Sequence, residues 1–273
     1  MNQNSKQVVF ITGASSGIGA ALAQEYAKQG CNLVLAARRL DKLLVTSESC
    51  QMFGAQVLIV KCDVTQASDL EHALKESLNR FGKIDTLIAN AGFGVAGPLS
   101  KLQLEDYRRQ FETNVFAVIN SVKIILPEII KNKGRIAIVG SVNGFIALGE
   151  GSPYAMSKFA VRAFADSLYF ELKAKGVSVT HIAPGFVKSE IRLVNNKGEF
   201  REHAKDPVPA WIQMSAEKAA QDIYKAIQKR KPQAIITFHG KFLVFIRHHF
   251  PRFFRFVISR LRVKGRSEPK FNE

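Results

Sequence analysis

The sequence predicts a doubly wound α/β fold with a mainly parallel, seven-stranded sheet and helices on both faces. Three observations carry this prediction. Short β-branched runs alternate with stretches of helical periodicity along most of the chain. The strand-length runs are apolar throughout rather than alternating apolar and polar, as expected for strands covered on both faces. A glycine-rich turn follows the first of these runs, where such sheets place a phosphate.

Taken in order, Val8-Val9-Phe10-Ile11 reads as a buried strand, followed by the glycine turn and a helix through Ala20 to Lys28. Asn32 to Ala37 is the second strand and Asp41 to Met52 the second helix. Gln56 to Val60, Ile84 to Ala89, Arg135 to Val139 and Val177 to Ile182 are further apolar runs of strand length. Helical segments separate them at Ser68–Arg80, Glu105–Lys131 and Pro153–Lys175. A helix over Ser215–Arg230 and a strand over Ala234–Phe238 complete the sheet. Short links between alternating strands and helices favour parallel βαβ units.

Composition narrows the class further. With 273 residues, 47% hydrophobic and 23% charged, the chain can bury one large core. Low-complexity stretches, internal repeats and a Pro/Ser linker are absent from the sequence, so one domain is expected over residues 1–239. Residues 240–273 read as a basic, aromatic C-terminal extension. Lys+Arg 39 against Asp+Glu 23 leaves a net charge of +16, which favours polyanionic partners. Met1 to Gln7 is polar and lacks the apolar core of a secretory signal, which predicts a cytoplasmic location. Cys31, Cys50 and Cys62 have no metal-ligand spacing and read as reduced, packed thiols, so no metal is expected.

The glycine turn is Thr12-Gly13-Ala14-Ser15-Ser16-Gly17-Ile18-Gly19. Gly13, Gly17 and Gly19 let the backbone turn tightly, approach a pyrophosphate and pack the next helix against the sheet. That helix's N-terminus offers unpaired N–H groups and a positive dipole end to the phosphates. The pattern predicts a Rossmann-like nucleotide site built from Gly13, Ser15, Ser16, Gly17, Ile18 and Gly19. The end of the second strand then selects the nucleotide. A carboxylate there would bind an adenosine ribose 2′-hydroxyl, but the residues are Ala37-Arg38-Arg39, with no acid until Asp41. Two adjacent guanidiniums suit a 2′-phosphate, so Arg38 and Arg39 predict NADP(H).

Chemistry is concentrated in Ser152-Pro153-Tyr154-Ala155-Met156-Ser157-Lys158, which opens a helix. Tyr154 and Lys158 are four apart and share one face. A Tyr hydroxyl has a pKa of about 10 and is a poor base near neutrality, but a nearby ammonium stabilises the phenolate. A drop of about two to three units asks roughly 3–4 kcal/mol of that cation. The pair alone is a weak signal.

Its company is stronger. Thr12–Gly19, Asp63-Val64, Asn90-Ala91-Gly92, Asn114, Ser141, Tyr154-x-x-x-Lys158 and Pro184-Gly185 occur in one order and at consistent intervals. From Gln7 to Phe238 the chain resembles the short-chain dehydrogenase/reductase family in these motifs. The resemblance implies that Tyr154 exchanges a proton with the reacting oxygen and that Lys158 lowers its pKa and holds the nicotinamide ribose. It also implies that Ser141 hydrogen-bonds the reacting oxygen and that Asn114 anchors a proton-relaying water. Asp63 and Val64 would meet the adenine, Asn90, Ala91 and Gly92 the ribose side. Val187 and Ser189, after Pro184 and Gly185, would face the carboxamide. Asn114 and Asn90 each keep a second reading, as a backbone cap and as a brace for the sheet. Two positions depart from the family's pattern: Gly140 stands where a second serine is common, and Ser189 where threonine is frequent.

The segment from Glu190 to Trp211 reads as a lid over the substrate, with Phe200, Pro207, Pro209 and Trp211 among charges. Gly92-Phe93-Gly94 and Phe145-Ile146 add apolar material, which favours a lipophilic ketone or alcohol. Beyond Gly240, arginines interrupt the apolar run well short of the roughly twenty residues that span a bilayer. Interleaved phenylalanines and cations suit an anionic membrane surface, or packing on a second copy in a homodimer or homotetramer. Nucleic acid is disfavoured, since nothing before Lys229 supports it. The alternative to an enzyme is a non-catalytic NADP-binding sensor or scaffold on the same fold.

Overall fold

Strands β1 (Val8–Thr12), β2 (Asn32–Ala37), β3 (Val57–Lys61), β4 (Thr86–Ala89), β5 (Arg135–Val139), β6 (Ser178–Ala183) and β7 (Gln233–Ile235) form one sheet. All neighbours pair in parallel, in the order β3-β2-β1-β4-β5-β6-β7. These features belong to a computed structural model that describes residues 6–201 and 203–260. The two-residue period of a strand divides its side chains between two cores. Val8 and Phe10 enter one core while Val9 and Ile11 enter the other. A fully buried side chain of this size contributes about 2 kcal/mol, so a polar residue at any of these four positions destabilises the strand.

Helices α1 (Gly17–Lys28), α2 (Leu40–Gln51) and α7 (Ala216–Gln228) cover the second face. The first face carries α3 (Ala67–Phe81), α5 (Ala117–Lys131) and α6 (Ser152–Lys173). The three cysteines are buried and free, and burial pushes their thiols up, to about 11 at Cys31 and about 12 at Cys50 and Cys62. They are packing groups rather than nucleophiles.

Two elements differ from the sequence expectation. The helix expected over Glu105–Lys131 is interrupted: α4 (Leu104–Phe111) passes through a π-helical turn, Glu112–Phe116, before α5. The wider turn carries Asn114 inward, where its side chain bonds backbone rather than solvent. By length and hydropathy Leu104–Lys131 could cross a bilayer, but here it is a core helix, with Val118, Val122, Ile125 and Ile129 packed against the sheet. The strand expected to reach Phe238 stops at Ile235. Thr237 caps a helix instead, its Oγ1 accepting from the Gly240 N–H at 3.2 Å. Helices α8 (Phe238–His249) and α9 (Pro251–Arg260) form a hairpin. It returns Leu243, Val244, Ile246, Phe254 and Ile258 onto Val142, Ile146 and Ile235. The part of the predicted extension beyond Arg260 lies outside the described residues.

Candidate active site

The strand order reverses between β1 and β4, and open α/β sheets bind ligands in the crevice beyond such a point. A cavity of about 710 Å³ opens there. Its floor is clasped shut by one threonine and one asparagine. Thr12 Oγ1 accepts from the Asn90 and Ala91 N–H groups at 3.0 and 3.1 Å. Asn90 Nδ2 donates back to the Thr12 and Gly13 carbonyls at 3.0 and 3.1 Å. This crossing requires glycine at 13, whose φ is +65 and where a Cβ would come within 2.8 Å of Ala91 Cα. A Cβ at Gly19 would collide with the Gly13 carbonyl. Ser16, which precedes α1, places no side-chain cap on the helix, so its first N–H groups stay available to an anion.

Beside this turn Arg39 donates to Ser16 Oγ at 2.8 Å and Ser15 Oγ at 3.3 Å. Its other nitrogen meets Glu190 Oε2 at 2.8 Å, and Lys42 Nζ meets Glu190 Oε1 at 2.5 Å. Burial alone would raise the Glu190 carboxyl, but bonds from Lys42 and Arg39 outweigh it and hold the group below its ordinary range. Arg38 lines the same cavity and is exposed. The sequence reading missed both Lys42 and Glu190. Lys42 stands in the first turn of α2, three residues after Arg39, and that proximity was the available signal. Nothing local in the sequence pairs it with a residue 148 positions away.

At the other group of predicted residues, Lys158 is buried and Nζ donates to the Val139 carbonyl at 3.0 Å. Burial pulls its ammonium down from 10.5 to about 8. Nζ stands 5.6 Å from the centre of the Tyr154 ring, on the shared face of α6. Ser157 Oγ donates to the Tyr154 carbonyl at 2.7 Å, and Ser152 Oγ bonds Tyr107 OH at 2.6 Å, which fixes the start of the helix. Ser141 leaves β5 in extended backbone, its Oγ accepting from the Asn143 N–H at 3.1 Å. Asn114 brackets Phe93: Oδ1 accepts from its N–H at 3.1 Å and Nδ2 donates to its carbonyl at 3.0 Å. Its Nδ2 also reaches Ser157 Oγ at 3.2 Å.

All the residues assigned from sequence to catalysis or cofactor binding line this one cavity except Gly19 and Asn114, which support the lining from behind, whereas Phe145, Pro207, Pro209 and Trp211, expected on the substrate side, do not line it. Asp63, Val64, Gly92, Pro184, Gly185, Val187 and Ser189 are all at its wall. The departure at Gly140 has a steric cause. A Cβ there would overlap the imidazole of His181 on β6, so a serine does not fit. His181 is fully buried, neither ring nitrogen has a hydrogen-bond partner among the described residues, and burial holds it neutral, down to about 3.

Two segments cover part of the cavity. The 190–213 segment crosses it, with Asn196 exchanging bonds of 3.1 and 2.9 Å with the Ala96 backbone. Arg192 braces that segment through a bidentate pair to Asp206 at 2.7 and 2.6 Å. The second covering, unforeseen from sequence, is α8. His239 Nε2 accepts from the Phe186 N–H at 2.9 Å and Leu243 lines the cavity. The C-terminal hairpin is thus part of the wall.

Comparison with known proteins agrees with this geometry. Residues 7–199 match the family profile described as short chain dehydrogenase. The chain is 34% identical over 272 residues to dehydrogenase/reductase SDR family member 7B of Rattus norvegicus, covering 96% of this chain and 83% of that protein. It is 35% identical over 187 residues to 11-beta-hydroxysteroid dehydrogenase A of Sesamum indicum, covering 68% and 53%. A short chain dehydrogenase/reductase from Burkholderia phymatum, crystallised in complex with NAD, superimposes with a TM-score of 0.80 at 26% identity, covering 93% of this chain and 96% of that one.

Proposed function

The chain belongs to the short-chain dehydrogenase/reductase family of oxidoreductases, and from that premise we propose that it moves a hydride between NADP(H) and a carbonyl or secondary alcohol of a lipophilic substrate. One observation carries this reading: Arg38, Arg39, Ser141, Tyr154 and Lys158 converge on a single cavity. The residues present fit such a dinucleotide. The uncapped start of α1 and the glycine backbone suit its pyrophosphate, and the two arginines with Lys42 suit a 2′-phosphate. A bound nicotinamide supplies or accepts the hydride.

The chain's own work is proton transfer and orientation. Ser141 Oγ donates to the reacting oxygen, and Tyr154 gives its phenolic proton to that oxygen in reduction or takes one in oxidation. Lys158, as an ammonium, favours the phenolate and binds ribose hydroxyls. Asn114 holds the Phe93 backbone in place and anchors a water that relays protons to Lys158. Asp63 and Val64 meet the adenine, Asn90, Ala91 and Gly92 the ribose side, and Val187 and Ser189 the carboxamide. The lipophilic substrate is supported by the apolar lining from Phe93, Ile146, Leu148, Phe186 and Leu243 and by the resemblance to a hydroxysteroid dehydrogenase.

NADPH consumption with steroid, retinoid, acyl and sphingoid ketones tests this reading. Tyr154→Phe should lose about 10²–10⁴-fold in turnover. Equal turnover in both proteins overturns the catalytic assignment, and NADPH binding without turnover of any ketone selects the scaffold alternative. Arg38→Ala should weaken NADPH binding by about 10- to 100-fold, the value of a charge-assisted hydrogen bond; unchanged affinity overturns the NADP preference.

A second reading concerns location. Phe242, Phe245, Phe250, Phe253 and Phe256 are all more than half exposed on the hairpin, among Lys241, Arg247, Arg252, Arg255 and Arg260. We infer that this face rests on an anionic membrane at its cytoplasmic side. Exposed Phe116 and Phe170, at the two long helices that flank Ser141, suit a homodimer or homotetramer.

A further inference from the structure

We propose that a second cleft, between the C-terminal hairpin and the 145–147 segment, binds the phosphate head and first acyl carbons of an anionic lipid. The cleft holds about 330 Å³ and is lined by Phe145, Phe159, Phe254 and Ile258, with Arg247 and Arg255 at its wall. The two arginines come from different helices, α8 and α9, and both line this one space. No aspartate or glutamate occurs from 238 to 260, and among the described residues neither arginine has a salt-bridge partner.

The chemistry of the wall selects the ligand. Two guanidiniums offer planar, paired donors that match phosphate oxygens. The five apolar side chains around them, Ala147 included, offer nothing to a hydrated inorganic ion but suit methylenes. Phe145 is fixed in this wall by the Arg162 guanidinium, 3.9 Å from the centre of its ring. An amphiphile satisfies both halves at once, and a bilayer presents phosphates at the depth where the hairpin phenylalanines would insert. The proposal therefore takes the membrane-facing reading of the hairpin to one molecule at one place.

The cleft also shares a wall with the catalytic cavity. Along 145–148 the side chains alternate: Phe145 and Ala147 line the cleft, Ile146 and Leu148 the cavity. On α8, Arg247 lines the cleft and Leu243, one turn earlier, the cavity. A lipid head bound at the arginines would stand beside the route by which a lipophilic substrate leaves the bilayer.

The test is calorimetric titration of the full chain with dihexanoyl phosphatidic acid below its critical micelle concentration. Inorganic phosphate serves as the head-only arm, and phosphatidylserine vesicles as the bilayer arm. Arg247→Gln with Arg255→Gln should weaken monomeric lipid binding at least about tenfold. Arg252→Gln removes one charge from the same hairpin but not from the cleft, and should leave affinity within about twofold. Ala147→Trp fills the cleft with all charges kept and should also abolish binding. Equal loss in Arg252→Gln reduces the effect to diffuse attraction and overturns the proposal. So does inorganic phosphate binding as tightly as the lipid, or self-association of the chain that the double variant abolishes without any lipid binding. Vesicle binding that survives the double variant, with no monomeric lipid bound by wild type, overturns the cleft while sparing the membrane reading.

Discussion

At the scale of single residues, burial decides what two ionisable groups can do. Lys158 is buried against the Val139 carbonyl, and its ammonium falls to about 8. The unfolded chain holds that proton up to about 10.5, so between these values the unfolded chain binds more protons and stability rises with pH. Activity runs the other way. The proposed role needs the ammonium, so kcat/KM, which reports the free enzyme, should fall above about pH 8 with a slope near −1. Lys158→Arg, charged throughout, should lose that alkaline limb even if slower; a limb unchanged in the variant removes Lys158 as its origin. His181 gives the acid counterpart. Its imidazole stays neutral down to about 3 in the fold, against 6.5 when exposed. Below about 6.5 the unfolded chain takes the extra proton, so stability is lost as pH falls, by up to ~1.4 kcal/mol per pH unit. His181→Leu should flatten the acid limb of denaturant midpoints. Gly140→Ser, overpacked against that ring, should cost about 1–3 kcal/mol in the wild-type background and much less beside His181→Ala. Additive effects in that cycle would refute the contact.

At the scale of elements, the parts of the site fixed by local chemistry were legible and those fixed by distant contacts were not. Gly13 and Gly19 announce a tight turn because only glycine fits there, and Tyr154 and Lys158 share a face by helical geometry alone. The π turn around Asn114 left no such mark, since its residues suit an α-helix equally well and the bonds to Phe93 draw it inward. The sequence predicts too long a β7 because Thr-Phe suits a strand, whereas Thr237 caps α8. The lid was legible as a segment but not in its anchorage, for Glu190 reaches back to Arg39 and Lys42 on the far side of the glycine turn. That carboxylate stands where the proposed 2′-phosphate would bind, and the two compete for the same cations. Glu190→Gln should therefore tighten NADPH binding about two- to fivefold, the value of a partly exposed pair, while NADH binding stays constant. Nicotinamide fluorescence titration measures both. Weaker NADPH binding would instead make Glu190 a positioning residue for Arg39.

At the scale of the whole molecule, the net charge of +16 was visible in the sequence, but which surface carries it depends on the fold. The doubly wound sheet turns its apolar strands inward, and the exposed aromatics elsewhere, such as Phe53, Phe116, Phe170 and Trp211, stand on separate elements, whereas the hairpin after β7 gathers several outward phenylalanines. A chain that buried them would not mix Phe242, Phe245 and Phe253 with cations on the same two helices. The inner faces of those helices are needed for the fold, since Phe254 and Leu243 pack on Val142 and the cavity wall. Deleting the hairpin therefore confounds membrane contact with loss of the site, and outward substitutions separate them. Phe242→Ser, Phe245→Ser and Phe253→Ser together should leave thermal stability and NADPH affinity nearly unchanged, as surface changes of about ±0.5 kcal/mol each do. Insertion of each ring to about half its area is worth roughly 1 kcal/mol, so the triple variant should partition onto phosphatidylserine vesicles about 100-fold less. Sedimentation with vesicles measures the loss. If partitioning is unchanged and the triple variant instead dissociates into monomers, the hairpin face belongs to a second copy of the chain.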